Sequence, residues 1–240
     1  MNDHPKLIID TKKIKDNTET LSKRAGDAGM NVFGVTKASC GDPIVAKAML
    51  AGGAEGIAES RIENIQRLRD SGIDDQIMLL RTPMISQAED VVEICDISLN
   101  SEISVIRALS DASTKLGKKH RIILMVEMGD LREGVMTDDV EQVLDETVDL
   151  EGIELHGLGM NLACFAGIIP TLEKISIFEN LVTEQESRLG IKFNMVSGGN
   201  SGNIPLLLDK PQMGRIDNLR IGEGILMGLE TAWQDLQEGG

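Results

Sequence analysis

The sequence predicts a closed (β/α)8 barrel, and three observations carry that expectation. Short apolar runs alternate with amphipathic stretches along nearly the whole chain, the order that parallel strands joined by helical crossovers require. Eight or nine such runs occur in 240 residues, the length of one barrel domain. No Pro/Ser-rich linker divides the chain, which disfavours the alternative of two doubly wound domains. The barrel is expected over residues 1–233, with residues 234–240 a polar C-terminal tail.

Taken in order, Leu7–Asp10 reads as a first strand because three aliphatic residues run together. Thr11–Ala28 follows as an amphipathic helix. Asn31–Lys37 is β-branched and apolar until its last residue, hence a strand; Asp42-Pro43 then opens the helix Pro43–Ala51 with a capping carboxylate and a proline at the first turn. The remaining pairs are Gly56–Glu59 with Ser60–Ser71, Gln76–Arg81 with Ser86–Ile94, and Ile97–Asn100 with Glu102–Leu116. Arg121–Met128 precedes Thr137–Val148, Ile153–Asn161 precedes Thr171–Leu189, and Phe193–Ser197 precedes Asn203–Leu208. Asn218–Ile225 closes the series. Each strand is a short hydrophobic run and each helix repeats its apolar residues at three and four.

Composition limits the chemistry. Four Phe, one Trp and no Tyr leave the core to Ile, Leu, Val, Met and Ala. A net charge of −15 excludes nucleic acid and anionic membrane as expected partners, since a phosphate backbone needs a basic face. Cys40, Cys95 and Cys164 are odd in number and lack paired spacing, so neither a disulfide framework nor a zinc site is expected. The N-terminus lacks a basic-then-apolar leader and no apolar run could span a bilayer, which predicts a cytoplasmic protein.

Lys37 is the leading candidate for chemistry. It ends a strand in Val32-Phe33-Gly34-Val35-Thr36-Lys37, at the end of a barrel where active sites are built. A lysine emerging there into a partly desolvated pocket can attack an aldehyde and form a Schiff base. Ser197-Gly198-Gly199-Asn200-Ser201-Gly202 follows another strand, and its small residues expose backbone N–H groups suited to a phosphate. In Asn218-Leu219-Arg220-Ile221-Gly222-Glu223, an arginine interrupts an apolar strand, and it cannot shed its charge. Met128-Gly129-Asp130-Leu131-Arg132-Glu133-Gly134 and His156-Gly157-Leu158-Gly159-Met160-Asn161 also lie at or beyond strand ends. His156 reads as structural, and His4 and His120 carry no signal.

Phe33-Gly34-Val35-Thr36-Lys37 followed by Cys40-Gly41-Asp42-Pro43, Glu59-Ser60-Arg61-Ile62-Glu63-Asn64-Ile65, Gly129-Asp130-Leu131-Arg132-Glu133-Gly134, Ser197-Gly198-Gly199-Asn200-Ser201 and Leu219-Arg220-Ile221-Gly222-Glu223 occur in an order that resembles ornithine-racemase-like amino-acid racemases. The wider group is the alanine racemase-type enzymes that use pyridoxal 5'-phosphate (PLP) on a TIM-type barrel. The resemblance runs from about Leu7 to Thr231. It implies that Lys37 holds PLP and serves as a base for the substrate α-proton. It implies that Ser201, with the loop of Ser197, Gly199 and Asn200 and the backbone of Gly222 and Glu223, takes the phosphate. Arg220 falls where the family directs a guanidinium at the pyridine nitrogen, Arg132 where an arginine meets the cofactor oxygen or the substrate carboxylate, and Asn161 where a residue packs on the cofactor face.

Family members continue into a C-terminal β-rich domain whose tyrosine, from a partner subunit, serves as the second base. This chain ends at Gly240 without any Tyr. Cys40 and Cys164, both just past expected strand ends, are candidate replacements, the alternative being that Lys37 alone serves both faces, slowly. The resemblance thus implies an isomerase acting on a small-molecule amino acid, as a monomer or homodimer. Asp42, Asp130 and Glu223 are candidate partners for the distal ammonium of ornithine or lysine. The alternative is a single-domain PLP-binding homeostasis protein with little turnover.

Overall fold

In a computed structural model, residues 7–164, 167–209 and 213–228 are described. Eight parallel strands close into a barrel in chain order: β1 (Asn31–Val35), β2 (Gly56–Glu59), β3 (Gln76–Leu79), β4 (Ile97–Asn100), β5 (His120–Val126), β6 (Ile153–Met160), β7 (Met195–Ser197) and β8 (Asn218–Ile221). Nine α-helices accompany them among the described residues: α1 (Thr11–Asp27), α2 (Pro43–Ala51), α3 (Ile62–Asp70), α4 (Ala88–Ile94), α5 (Ile103–Lys115), α6 (Val140–Val148), α7 (Leu172–Leu189), α8 (Ile204–Asp209) and α9 (Glu223–Met227). Closure comes from β8 pairing with β1, with Phe33 opposite Arg220 and Gly34 opposite Ile221.

Period-two alternation along each strand divides the core into two clusters. Phe33, Val35, Ala58, Met78, Ile97, Leu99, Ile123, Met125 and Met195 form the cluster inside the barrel. The alternate strand residues Val32, Ile57, Ile77, Ile122, Leu124, Leu158, Val196, Leu219 and Ile221 belong to the larger cluster shared with the helices. With so few aromatic residues available, methionines fill the irregular lumen. Gly159 on β6 makes room for one of them: a Cβ there would sit 2.8 Å from the Met125 sulfur.

Two expected elements differ. Leu7–Asp10 is no strand; Leu7 and Ile8 are each 88% exposed, and Asp10 instead caps α1, accepting from the Lys13 N–H at 3.1 Å. A barrel already closed by β1 and β8 offers no free edge to an additional strand. The last strand stops at Ile221 because Gly222 breaks it and Glu223 begins a helix that the sequence did not announce. The expected tail, residues 234–240, lies outside the described residues. No helix among those described is long and apolar enough to cross a membrane.

Candidate active site

A cavity of about 580 Å³ opens at the carboxyl ends of the strands, and all eight strands or the loops after them contribute to its wall. Val35 and Lys37 come from β1 and its loop, Ser60 from the loop after β2, Leu80 and Arg81 from beyond β3, and Leu99 from β4. Arg132 and Glu133 follow β5, Asn161, Ala163 and Cys164 follow β6, Asn200, Ser201 and Gly202 follow β7, and Arg220, Gly222 and Glu223 come from β8 and the start of α9. Four cationic side chains thus face two carboxylates in a chain whose overall charge is −15. Such a wall concentrates anions.

Lys37 is positioned through the residue before it. Thr36 is fully buried, its N–H donates to the Ala58 carbonyl at 3.0 Å, and its hydroxyl donates to Glu59 at 2.8 Å. Glu59 is also fully buried, and it accepts from the Ser60 N–H at 2.6 Å and the Asn64 amide at 3.2 Å. A buried carboxylate satisfied by several donors fixes the end of β1 against β2. The sequence pattern flagged the Glu59 to Ile65 segment without revealing this network. Lys37 itself is exposed, at the first position of a short 3-10 turn, whereas a partly desolvated lysine was expected. The open mouth of the barrel accounts for the difference.

The same turn removes Cys40. It stands in the left-handed region (φ 53°) with its carbonyl accepting from Arg67 at 2.8 Å, exposed and absent from the cavity wall. Cys164 instead lines the cavity, with an Arg132 N–H directed at its sulfur at 2.7 Å. Arg132 is carried by a loop that Glu127 folds: its carboxylate accepts from the Gly129, Leu131 and Arg132 N–H groups at 2.5, 3.1 and 3.3 Å. Gly134 (φ +131°) lets this loop return so that the Val135 N–H reaches the Met125 carbonyl at 2.7 Å.

Arg220 is 4% exposed and forms no ion pair with any described residue. Its guanidinium donates to the Ser197 hydroxyl, to the Met160 carbonyl at 2.9 Å and to Asn161 Oδ1 at 3.5 Å. Ser197 passes its proton towards Asn218, whose amide donates to Asn31 Oδ1 at 2.6 Å, so a polar relay ties β8, β7 and β1 together. Burial pushes the Arg220 pKa down to about 10, opposed by the charge of Glu133. Ser197 and Gly199 act behind the wall rather than on it: Ser197 holds Arg220, and the Gly199 carbonyl accepts the Arg220 backbone N–H at 2.8 Å.

Asn161 is buried among polar partners. It donates to Asp130 at 3.3 Å and accepts from Asn200 at 3.0 Å, linking the loops after β5, β6 and β7. Ser201 opens a 3-10 turn and its oxygen accepts from the Gly224 N–H at 3.1 Å, leaving its own proton free to donate. A Cβ at Gly202 would come 3.0 Å from the Ala163 Cβ, and one at Gly222 would come 3.1 Å from the Val35 Cβ. Both glycines line the cavity, and the Gly202 N–H donates to Asn200 at 2.7 Å. A hydroxyl donor, a glycine-lined wall and nearby guanidinium groups suit a phosphorylated cofactor, and Lys37 on the same wall suits a carbonyl one.

Other expected residues are placed elsewhere. Asp42 is spent on the α2 cap, accepting from the Ile44 and Val45 N–H groups at 2.8 and 3.3 Å. His156 pairs with Glu154 at 3.2 Å, and burial lowers its pKa. Cys95 is buried, which pushes its thiol up to about 12. Arg81 was not singled out from sequence, and Ser60 and Glu133 were noted only as members of longer segments, yet all three line the cavity. Arg81 ends an expected strand as Lys37 does, and that shared position is the signal that could have found it.

The family model of the alanine racemase N-terminal domain matches residues 9–230. The ornithine racemase of Acetoanaerobium sticklandii is 37% identical over 232 residues, covering 96% of this chain and 65% of that protein. The lysine racemase of Thermotoga maritima is 35% identical over 225 residues, covering 94% and 63%. The chain thus spans just under two thirds of the length of these relatives. Among solved structures, alanine racemase from Streptomyces lavendulae has a TM-score of 0.78 at 20% identity, over 90% of this chain and 57% of that one. D-threonine aldolase from Filomicrobium marinum has a TM-score of 0.79 at 19% identity, over 94% and 62%. At such identities the structures speak for the fold alone. Through its sequence relationships, the chain belongs to the alanine racemase N-terminal domain family.

Proposed function

We propose that this chain is the barrel of a PLP-dependent amino-acid racemase, acting on a basic amino acid such as ornithine or lysine. One observation carries the proposal: Lys37, Arg132, Asn161, Ser201 and Arg220, drawn from five different strand ends, meet on one cation-rich cavity. Its similarity to an ornithine and a lysine racemase supports the substrate class.

Bound pyridoxal phosphate supplies a carbonyl that condenses with amines and a ring that acidifies the α-hydrogen of an attached amino acid. The protein's part is to hold, orient and move protons. The Ser201 hydroxyl and the backbone at Gly222 would hold the phosphate, and the Lys37 amine would hold the carbonyl carbon. Arg220 donates hydrogen bonds and never releases a proton under working conditions, so it would face a ring nitrogen without protonating it. That restrains electron withdrawal and suits a reversible proton exchange. Arg132 presents a guanidinium to the substrate carboxylate. The α-proton passes to Lys37 Nζ on one face, and Cys164 Sγ–H delivers a proton to the other face. Each group then recovers its starting state by exchange with solvent.

The test is to load the protein with PLP, reduce with borohydride and map the modified peptide, while following D-ornithine from L-ornithine by chiral chromatography. The expected results are a pyridoxyl group on Lys37 and D-product. Modification elsewhere would refute the site. A pyridoxyl group on Lys37 without D-product from any amino acid would refute the racemase and support a cofactor carrier.

A further inference from the structure

We infer that Glu133 is the residue that reads the substrate's distal ammonium group; the inference rests on the racemase proposal above. Glu133 is half-buried on the wall of the cavity that contains Lys37. It forms no hydrogen bond or ion pair with any described residue, although four cationic side chains share that wall with it. Its neighbour in sequence, Arg132, is turned away to the Cys164 sulfur. Arg220 feels its charge yet bonds to Ser197, Met160 and Asn161 instead.

A carboxylate that loses part of its hydration without gaining a partner is costly, and a cationic ligand would offset that cost. The cavity's anion-binding capacity is accounted for by a phosphate and an α-carboxylate. A carboxylate in such a wall serves neither, and it would repel both unless a cation lay beside it. The distal ammonium of a diamino acid is that cation, permanently charged at neutral pH.

The acidic residues expected from sequence for this task are committed elsewhere. Asp42 caps α2. Asp130 is buried and accepts from Asn161 and from the Cys164 N–H at 3.2 Å. Glu223 opens α9 beside the glycine-lined part of the wall that we assign to the phosphate. Glu133 also sits on a loop whose backbone is pinned by Glu127 and by the return at Gly134, so its position is fixed without the side chain's help.

The test compares ornithine with norvaline, which has the same carbon chain without the distal amine. Both turnover and calorimetric binding are measured on the PLP-loaded wild type, Glu133→Gln and Glu133→Asp. A charge-assisted contact predicts that the wild type prefers ornithine and that Glu133→Gln reduces the ornithine-to-norvaline ratio roughly 10- to 100-fold. The effect should fall on KM and Kd more than on kcat. Glu133→Asp retreats by one methylene and should shift preference from ornithine towards lysine, which is one methylene longer.

An unchanged ratio in Glu133→Gln overturns the assignment, and so does an equal loss on both amino acids. A Glu133→Asp variant with no shift towards lysine also counts against it. If the wild type racemises nothing, the proposed function fails while the calorimetric ratio still judges Glu133.

Discussion

Arg220 should be a residue whose removal costs the empty fold little. Its guanidinium is buried without a carboxylate partner, and burial lowers its pKa by more than two pH units, to about 10. At ~1.4 kcal/mol per pH unit, that difference means the charged form destabilises the folded state by about 3 kcal/mol at neutral pH. Against this stand charge-assisted hydrogen bonds to Met160 and Ser197, worth about 1.5 kcal/mol or more each, and a longer one to Asn161. Ser197 keeps its bond to Asn218 and Asn161 keeps Asn200, so neither side chain is left without a partner when Arg220 is removed. The opposing contributions offset one another to within about 2 kcal/mol. Arg220→Met should therefore lower the unfolding free energy of the cofactor-free protein by no more than about 2 kcal/mol. Urea unfolding at pH 7.5, with the slope unchanged between variants, measures it directly. A loss of about 3–5 kcal/mol, the ordinary consequence of breaking a buried ionic network, would refute the reasoning and make Arg220 a structural residue. The same variant should gain less stability from added PLP than the wild type does, since the charge is retained for ligands rather than for the fold.

Two further outcomes follow from the fold itself. His120 is buried, with its Nε2 2.8 Å from the Ser98 hydroxyl; burial, with Arg121 adding to it, pushes its pKa down to about 4. The unfolded chain binds that proton near pH 6.5, so His120's contribution is intact above pH 6.5 and lost as pH falls to about 4. The loss amounts to about 3 kcal/mol, and His120→Gln should flatten that part of the stability-against-pH curve; an unaltered slope would show that another group controls it. Gly157→Ala should cost at least about 3 kcal/mol in urea unfolding, because the new Cβ would lie 1.7 Å from the Met195 carbonyl on β7 and backbone cannot step aside cheaply. A loss below about 1 kcal/mol would mean that β6 and β7 can separate without penalty.

What the sequence disclosed depended on how local each signal is. The barrel was legible because each strand and helix carries its own period, and Asp42-Pro43 marks its helix without help from elsewhere. Lys37 was legible for the same reason: a charge ends an apolar run. The aliphatic Leu7-Ile8-Ile9 misled because a run of that kind reports strand propensity, whereas pairing depends on a free edge that the contact of β8 with β1 removes. Cys40 and Cys164 look equivalent in sequence, each shortly after a strand. Only the 3-10 turn at Lys37–Ser39 separates them, carrying Cys40 off the cavity while Cys164 stays beside Arg132. The support of Lys37 by Thr36, Glu59 and Asn64 was hidden because it joins residues 23 and 5 positions apart through side chains. Glu133 was overlooked inside a charged segment whose solvated look conceals a half-buried carboxylate.

The most direct test of the central claim is α-proton exchange in D₂O, followed by NMR on L-ornithine with the PLP-loaded wild type and with Lys37→Ala. Proton transfer through Lys37 predicts deuterium at the α-carbon together with D-ornithine for the wild type, and neither for the lysine variant. Exchange that persists at the wild-type rate in Lys37→Ala would contradict it, and so would a loaded wild type that exchanges no α-proton at all.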